Sequence, residues 1–289
     1  MDRIIMLGTG HATVTRCYNT CFVVERTAGG QTDRLLVDGG GGNGILLQLE
    51  RAGIALQSVH HLFITHAHTD HIIGCLWVVR MVMQLMLDGR YDGNLHVWSH
   101  DKCVDVLTSM CQMMLHLEYN ALIGERIVMH RLNDGDTFRV GSMHLQCFDI
   151  FSRKEPQMGF VLYGEDAERL GVGEDTSSWC GADIEKRLVC LGDEPFSERC
   201  RPYAEGASWL MSEAFCLYRD RDIFDPYGKF HSTALDAGRQ ASRLGVSHLL
   251  LYHTEDRHLD GRREAYTAEA ATCFSGHIVV PDDMETIVL

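Results

Sequence analysis

Residues 63–71 read Phe63-Ile64-Thr65-His66-Ala67-His68-Thr69-Asp70-His71, an apolar run that ends in three histidines and an aspartate. If Phe63 to Thr65 are extended, His66 and His68 project from the same side of the chain, because side chains two apart on a strand share a face. Two imidazoles can then converge on one ion. Asp70 and His71 follow where the chain should turn into a helix, and they can serve a second ion nearby. Nitrogen and oxygen donors in this mix suit Zn²⁺, with Mn²⁺ or Fe²⁺ as other candidates, and one or two ions are expected. A histidine-rich surface loop does not account for such a cluster at the end of an apolar strand. The isolated His60, His96, His116 and His130 read as structural or exposed residues.

The 289 residues are enough for one domain with a well-filled core, 1–289, and no repeat or linker divides them. Strand signals rich in Val, Ile, Leu and Phe occupy residues 3–8, 20–25, 33–38 and 58–65. Four glycines, Gly39 to Gly42, precede a helix expected over 45–52. Apolar residues at helical spacing predict helices over 77–87 and 101–117. Methionines 81, 83, 86, 110, 113 and 114 in this stretch read as core. Short strands return from 126 to 163, followed by one over 187–191, a helix over 232–244, a strand over 247–252 and a helix over 262–274. Residues 277–280 and 285–289 are expected to close as a strand pair. Two β-rich halves with helices suit a sandwich with the helices outside.

The formal net charge of −14 repels polyanions and disfavours non-specific binding to nucleic acid, although bound metal would add local positive charge. Eleven scattered cysteines without a CxxC pair imply free thiols and a reducing, cytoplasmic location. No secretory signal is expected in the opening residues. No apolar run approaches the ~20 residues of a membrane span, and residues 72–87, which contain Arg80, read as a buried helix, so no membrane partner is expected.

The pattern HxHxDH at 66–71 resembles the signature of the metallo-β-lactamase superfamily, and the chain is similar to its ribonuclease Z-like branch over nearly its whole length. Leu7-Gly8-Thr9-Gly10 and Asn19-Thr20-Cys21 resemble the branch's N-terminal strand and turn. Asp38-Gly39-Gly40 matches its glycine-rich turn, and Met211-Ser212-Glu213-Ala214 resembles the stretch that follows the bridging acid. The resemblance implies an α/β fold, the four-layer αβ/βα sandwich. It implies Asp193 in Leu191-Gly192-Asp193 as a bridge between two metals, and His253 in Leu250-Leu251-Tyr252-His253 as a ligand of the second. His231 in Phe230-His231-Ser232-Thr233 matches the branch's catalytic histidine.

One expected ligand is missing. The family places a further histidine several residues before a Gly-aromatic pair, but residues 148–160 contain none, and Arg153 stands near that place. Asp149 is the substitute to consider, against a plain turn carboxylate. The first metal position is therefore expected to be the weaker, and the second, from Asp70, His71, Asp193 and His253, the complete one.

A bound divalent metal acidifies water and polarises the scissile group, while Asp70 would orient that water and His231 would protonate the leaving oxygen. The expected activity is metal-dependent hydrolysis of a phosphodiester, with a small-molecule or nucleotide substrate. Transfer RNA is disfavoured, since residues 164–186 are short and acidic where processing enzymes carry a basic arm. A lactonase, thioesterase or β-lactamase activity is the alternative on the same scaffold. A non-catalytic metal sensor is another, against which His231 counts. A homodimer is left open.

Overall fold

The computed structural model describes residues 1–170 and 184–289, in two compact units. The acidic interval 164–186, read above for the lack of an RNA-gripping arm, falls largely outside the described residues.

The first unit comprises Met1–Thr13, Cys17–Leu132 and Asp282–Val288. Its seven-stranded sheet begins with an antiparallel meander, β1 (Asp2–Gly8), β2 (Cys21–Ala28) and β3 (Gln31–Val37). It continues in parallel through β4 (His61–Phe63), β5 (Leu95–Ser99) and β6 (Ile127–Arg131). Parallel neighbours need long crossovers, here supplied by helices α1 (Gly44–Arg51), α2 (Thr69–Leu87) and α3 (Asp101–Met114). Leu7, Val23, Leu36, Leu62 and Val97 of the strands pack with Ile45, Leu49, Val79, Met83 and Leu107 of the helices in one core. α2 is long and apolar enough to cross a bilayer by length and composition, and it is mostly buried within the protein.

The second unit comprises Val14–Arg16, Asn133–Pro281 and Leu289. Strands β7 (Thr137–Val140), β8 (Met143–Asp149), β9 (Met158–Tyr163) and β10 (Lys186–Cys190) run antiparallel. From β10 the order is parallel through β11 (Trp209–Glu213), β12 (His248–Tyr252) and β13 (His277–Val279). Helices Ala234–Leu244 and Arg262–Ala270 contribute Ala237, Ala241, Tyr266 and Ala270 to this unit's core. Thr233 and Asp236 form a reciprocal capping box at the start of the first of these helices.

Several expectations need correction. Residues 277–280 and 285–289 do not pair with each other. His277–Val279 lies parallel beside β12, and Thr286–Val288 lies antiparallel beside β1. Alternating residues announce a strand but do not choose its partner; an open sheet edge does. The strand expected over 58–65 shrinks to β4, because Leu56–Ser58 takes a 3₁₀ turn. The helix over 101–117 stops at Met114, where Leu115 turns extended. Met83 and Met86 are core residues, but Met113 and Met114 face solvent at the end of α3.

Candidate metal centre

In the first unit, Asp38 directly follows β3 in a left-handed conformation (φ 57°) and is buried. Its Oδ1 accepts the Thr65 amide at 2.8 Å, and its Oδ2 accepts the Thr65 hydroxyl at 2.7 Å and His71 Nδ1 at 2.8 Å. These contacts assign the imidazole protons. The Thr65 hydroxyl spends its single proton on Asp38, so towards His66 Nδ1, 2.9 Å away, it accepts. His66 and His71 therefore both carry hydrogen on Nδ1 and keep the Nε2 lone pair for other use, the arrangement a metal ligand requires. His66 Nε2 and His68 Nδ1 stand 2.8 Å apart, whereas two nitrogens on one tetrahedral ion stand about 3.4 Å apart. Asp70 lies in the first turn of α2, with Oδ2 3.4 Å from His71 Nε2.

The start of α2 is held against the glycine turn. Gly39 donates its amide to the His71 carbonyl and Gly74 donates to that of Gly40. A Cβ on Gly74 would stand 1.8 Å from the Gly39 carbonyl oxygen, so backbone must meet backbone here.

In the second unit the donors again follow the carboxyl ends of parallel strands. Asp193 comes three residues after β10 and His253 directly after β12, with φ 58°. His253 Nε2 lies 3.5 Å from Asp193 Oδ2. Glu213 closes β11 and is fully buried. Its Oε1 accepts the Ser232 amide and hydroxyl at 2.5 and 2.7 Å, and its Oε2 faces His231 Nδ1 at 3.7 Å. Glu213, His231 and His253 bring one ligand atom each within 4.8 Å of the others. His231 stacks on Phe215, with ring centroids 4.6 Å apart, and its Nε2 lies 3.1 Å from Lys154 Nζ. Burial pushes the His231 pKa down to about 2, with His253 and Lys154 adding to the effect and Asp193 opposing it. Burial also raises the Glu213 carboxyl well above the usual carboxylate range, against the Ser232 hydrogen bonds.

Each unit thus offers imidazoles beside carboxylates, a donor set that fits a divalent ion. The model of the family described as anti-Pycsar protein Apyc1 matches residues 2–178. The chain belongs to the Apyc1 family. This Apyc1-family chain is also 26% identical to ribonuclease Z of Bradyrhizobium diazoefficiens over 312 residues, covering 98% of both. Its fold matches the metallo-β-lactamase fold protein YhfI of Bacillus subtilis with a TM-score of 0.72 at 17% identity, over 99% of this chain and 98% of that one. Human tRNase Z, short form, matches with a TM-score of 0.67 at 19% identity, over 100% and 99% of the two chains. The fold is the metallo-β-lactamase fold, and the resemblance is to its ribonuclease Z-like branch.

The structure gathers His66, His68, Asp70 and His71 in one unit and Asp193, His231 and His253 in the other. Asp149 is drawn into a local turn, its Oδ1 accepting the amide of Phe151 at 2.7 Å. Arg153 lines a cavity beside His231. Three residues beside these side chains were not singled out from sequence for a role. Asp38 and Glu213 were visible only as parts of strand-end matches, and Lys154 gave no signal, because its contact with His231 joins residues 77 positions apart.

Proposed function

We propose that the bond broken is a phosphodiester, that the ligands are His66, His68, Asp70, His71, Asp193 and His253, and that His231 serves the leaving oxygen. The metal is a divalent ion, with Zn²⁺ the first candidate and Mn²⁺ or Fe²⁺ behind it. When bound it supplies a water acidic enough to attack at neutral pH and a charge against the scissile oxygens. Asp70 orients that water. Matches along the full length of the relatives support reading 1–289 as one domain.

The observation that carries the reading is the sequence of contacts Glu213–His231–Lys154. A lysine only donates, so the imidazole accepts at Nε2 and carries its hydrogen on Nδ1, facing the carboxylate. An imidazole fixed in this way can move a proton at Nε2, and the negative charge of a phosphate beside it favours the protonated form. A passive metal carrier has no use for such a group. The negative charge of the chain favours a small or nucleotide diester over transfer RNA. Among the described residues all ten cysteines are free, which suits the cytoplasm.

Metal analysis of the purified protein together with hydrolysis of bis(p-nitrophenyl) phosphate tests this. Turnover should vanish on chelation and return with Zn²⁺, Mn²⁺ or Fe²⁺. Metal titration should show the ion of Asp70, His71, Asp193 and His253 as the firmer, because residues 148–160 bring no histidine to the other. Hydrolysis of a lactone or thioester without any diesterase activity would overturn the reading.

A further inference from the structure

The second unit contains a cavity of about 500 Å³ with His231 in its wall, and its lining is unusual for so acidic a chain. Three phenylalanines line it, Phe151, Phe196 and Phe230, and both Phe151 and Phe230 have φ 59°. Bulky side chains rarely adopt left-handed backbone, which costs roughly 1–3 kcal/mol, so the surrounding structure holds both against a preference for other conformations. Two arginines line the same space, Arg153 and Arg199, and the Arg199 guanidinium lies 4.7 Å from the centre of the Phe151 ring. Lys154 stands next to them through its contact with His231.

Several basic residues of the chain are held by carboxylates. Arg3 and Arg34 pair with Glu25, Arg26 with Asp2, and Arg131 with Asp101 and Asp105. Among the described residues, no carboxylate lies within ion-pair distance of Arg153 or Arg199, while Lys154 acts electrostatically on Glu213. One carboxylate, Glu194, does line the cavity. It is buried and already accepts the Ser152 hydroxyl at 2.6 Å and the Arg153 amide at 3.1 Å, so it holds the loop. Against its single negative charge Arg153 and Arg199 of the lining leave an excess of one positive charge, since Lys154 acts on the Glu213 carboxyl instead.

A phosphodiester carries one negative charge, and the proposed metal site already faces it. The excess positive charge of the cavity, carried by two arginines, calls for further negative charge on the ligand. Arginine favours phosphate because its planar fork donates two parallel hydrogen bonds to it. We propose that the cavity binds a second phosphate of the substrate, a phosphomonoester group joined to the scissile diester. Phe151 and Phe230 would cover the uncharged part between the two. The inference rests on the phosphodiesterase reading for its scissile group, but the cavity's preference for a bisphosphate can be measured without turnover.

Two substrates isolate the second phosphate: thymidine 5′-(p-nitrophenyl phosphate), and the same compound with a phosphate on its 3′ oxygen. With the metal-loaded protein, kcat/KM should be at least tenfold higher for the 3′-phosphorylated compound, mainly through KM. In Arg153→Gln/Arg199→Gln that ratio should fall to near one, and Arg153→Lys/Arg199→Lys should keep part of it. A ratio near one in the wild type overturns the proposal, as does a double glutamine variant that slows both compounds by the same factor. If neither compound is hydrolysed, the phosphodiesterase reading fails, and calorimetry then decides the cavity separately. Thymidine 3′,5′-bisphosphate should bind at least tenfold more tightly than thymidine 5′-monophosphate, and the double glutamine variant should lose the difference. Equal affinities in the wild type would reject the second-phosphate site.

Discussion

His231 Nδ1 faces Glu213 Oε2 across 3.7 Å, and both atoms are buried and make no hydrogen bond. The other oxygen of Glu213 is held by Ser232, so the carboxylate cannot turn away. The pair is poised to form a closer contact when His231 becomes cationic.

His231→Ala should slow diester turnover by ~10²–10⁴-fold, the usual range for loss of a general acid. Metal content should be unchanged. The defect should be larger on an alkyl diester than on a nitrophenyl one, since nitrophenolate leaves with less need of a proton. Equal defects on both would show that His231 positions substrate rather than donating a proton.

Asp38 holds both Thr65 and His71, and through Thr65 it sets the tautomer of His66. Asp38→Asn keeps the volume but cannot accept all these hydrogen bonds. Metal affinity should drop by ~10–100-fold, as is usual for groups that orient ligating histidines. Competition with a chromogenic chelator measures this, and an unchanged affinity would remove Asp38 from the account.

Gly74→Ala should destabilise the protein by about 1–3 kcal/mol or prevent folding, because the new methyl meets the Gly39 carbonyl. Gly42→Ala is the control, since a Cβ there has nothing within 4 Å. Urea unfolding of the two variants should separate them clearly.

The first unit carries a row of histidines on adjacent parallel strands. Trp98 Nε1 donates to His61 Nδ1 at 3.2 Å, and His96 Nδ1 lies 2.9 Å from His130 Nε2. Each contact requires a ring nitrogen without a proton. Burial, with the neighbouring histidines adding, lowers the His61 pKa to about 4, against a small opposing effect of Asp33. Burial also lowers the pKa values of His96 and His130. Folded-state values below the unfolded value mean that this stabilisation is complete above about pH 6.5 and is lost as pH falls towards 4. Urea midpoints should therefore fall between pH 7 and 5, and less so in His61→Asn. A His61 resonance that titrates near 6.5 would contradict the assignment.

The metal-binding segment was legible because its chemistry is local. His66, His68, Asp70 and His71 lie within six positions, and the apolar run before them announces a strand end. Asp193, His231 and His253 were legible only as short matches in the right order, since Gly-Asp or His-Ser-Thr alone says little. His61, His96 and His130 read as isolated residues, and the parallel pairing of β4, β5 and β6 makes them neighbours.

By itself the sequence determined the residue types, the alternation and helical spacing, and the turns that only glycine allows. These are properties of neighbouring residues; they pointed to a sandwich with helices outside and to the four proposed ligands of residues 66–71, while the family resemblance implied the fold class and the other ligands. The tertiary structure decided which strands pair, which imidazole nitrogen carries a proton, and which cation faces which histidine. Those outcomes depend on contacts between distant segments, because a hydrogen bond or a shift in pKa is set by what lies within a few ångströms in space. Residues 277–279 and 286–288 show the difference most plainly. Both are strands by pattern, yet they join different sheets because the open edges that received them lie in different units.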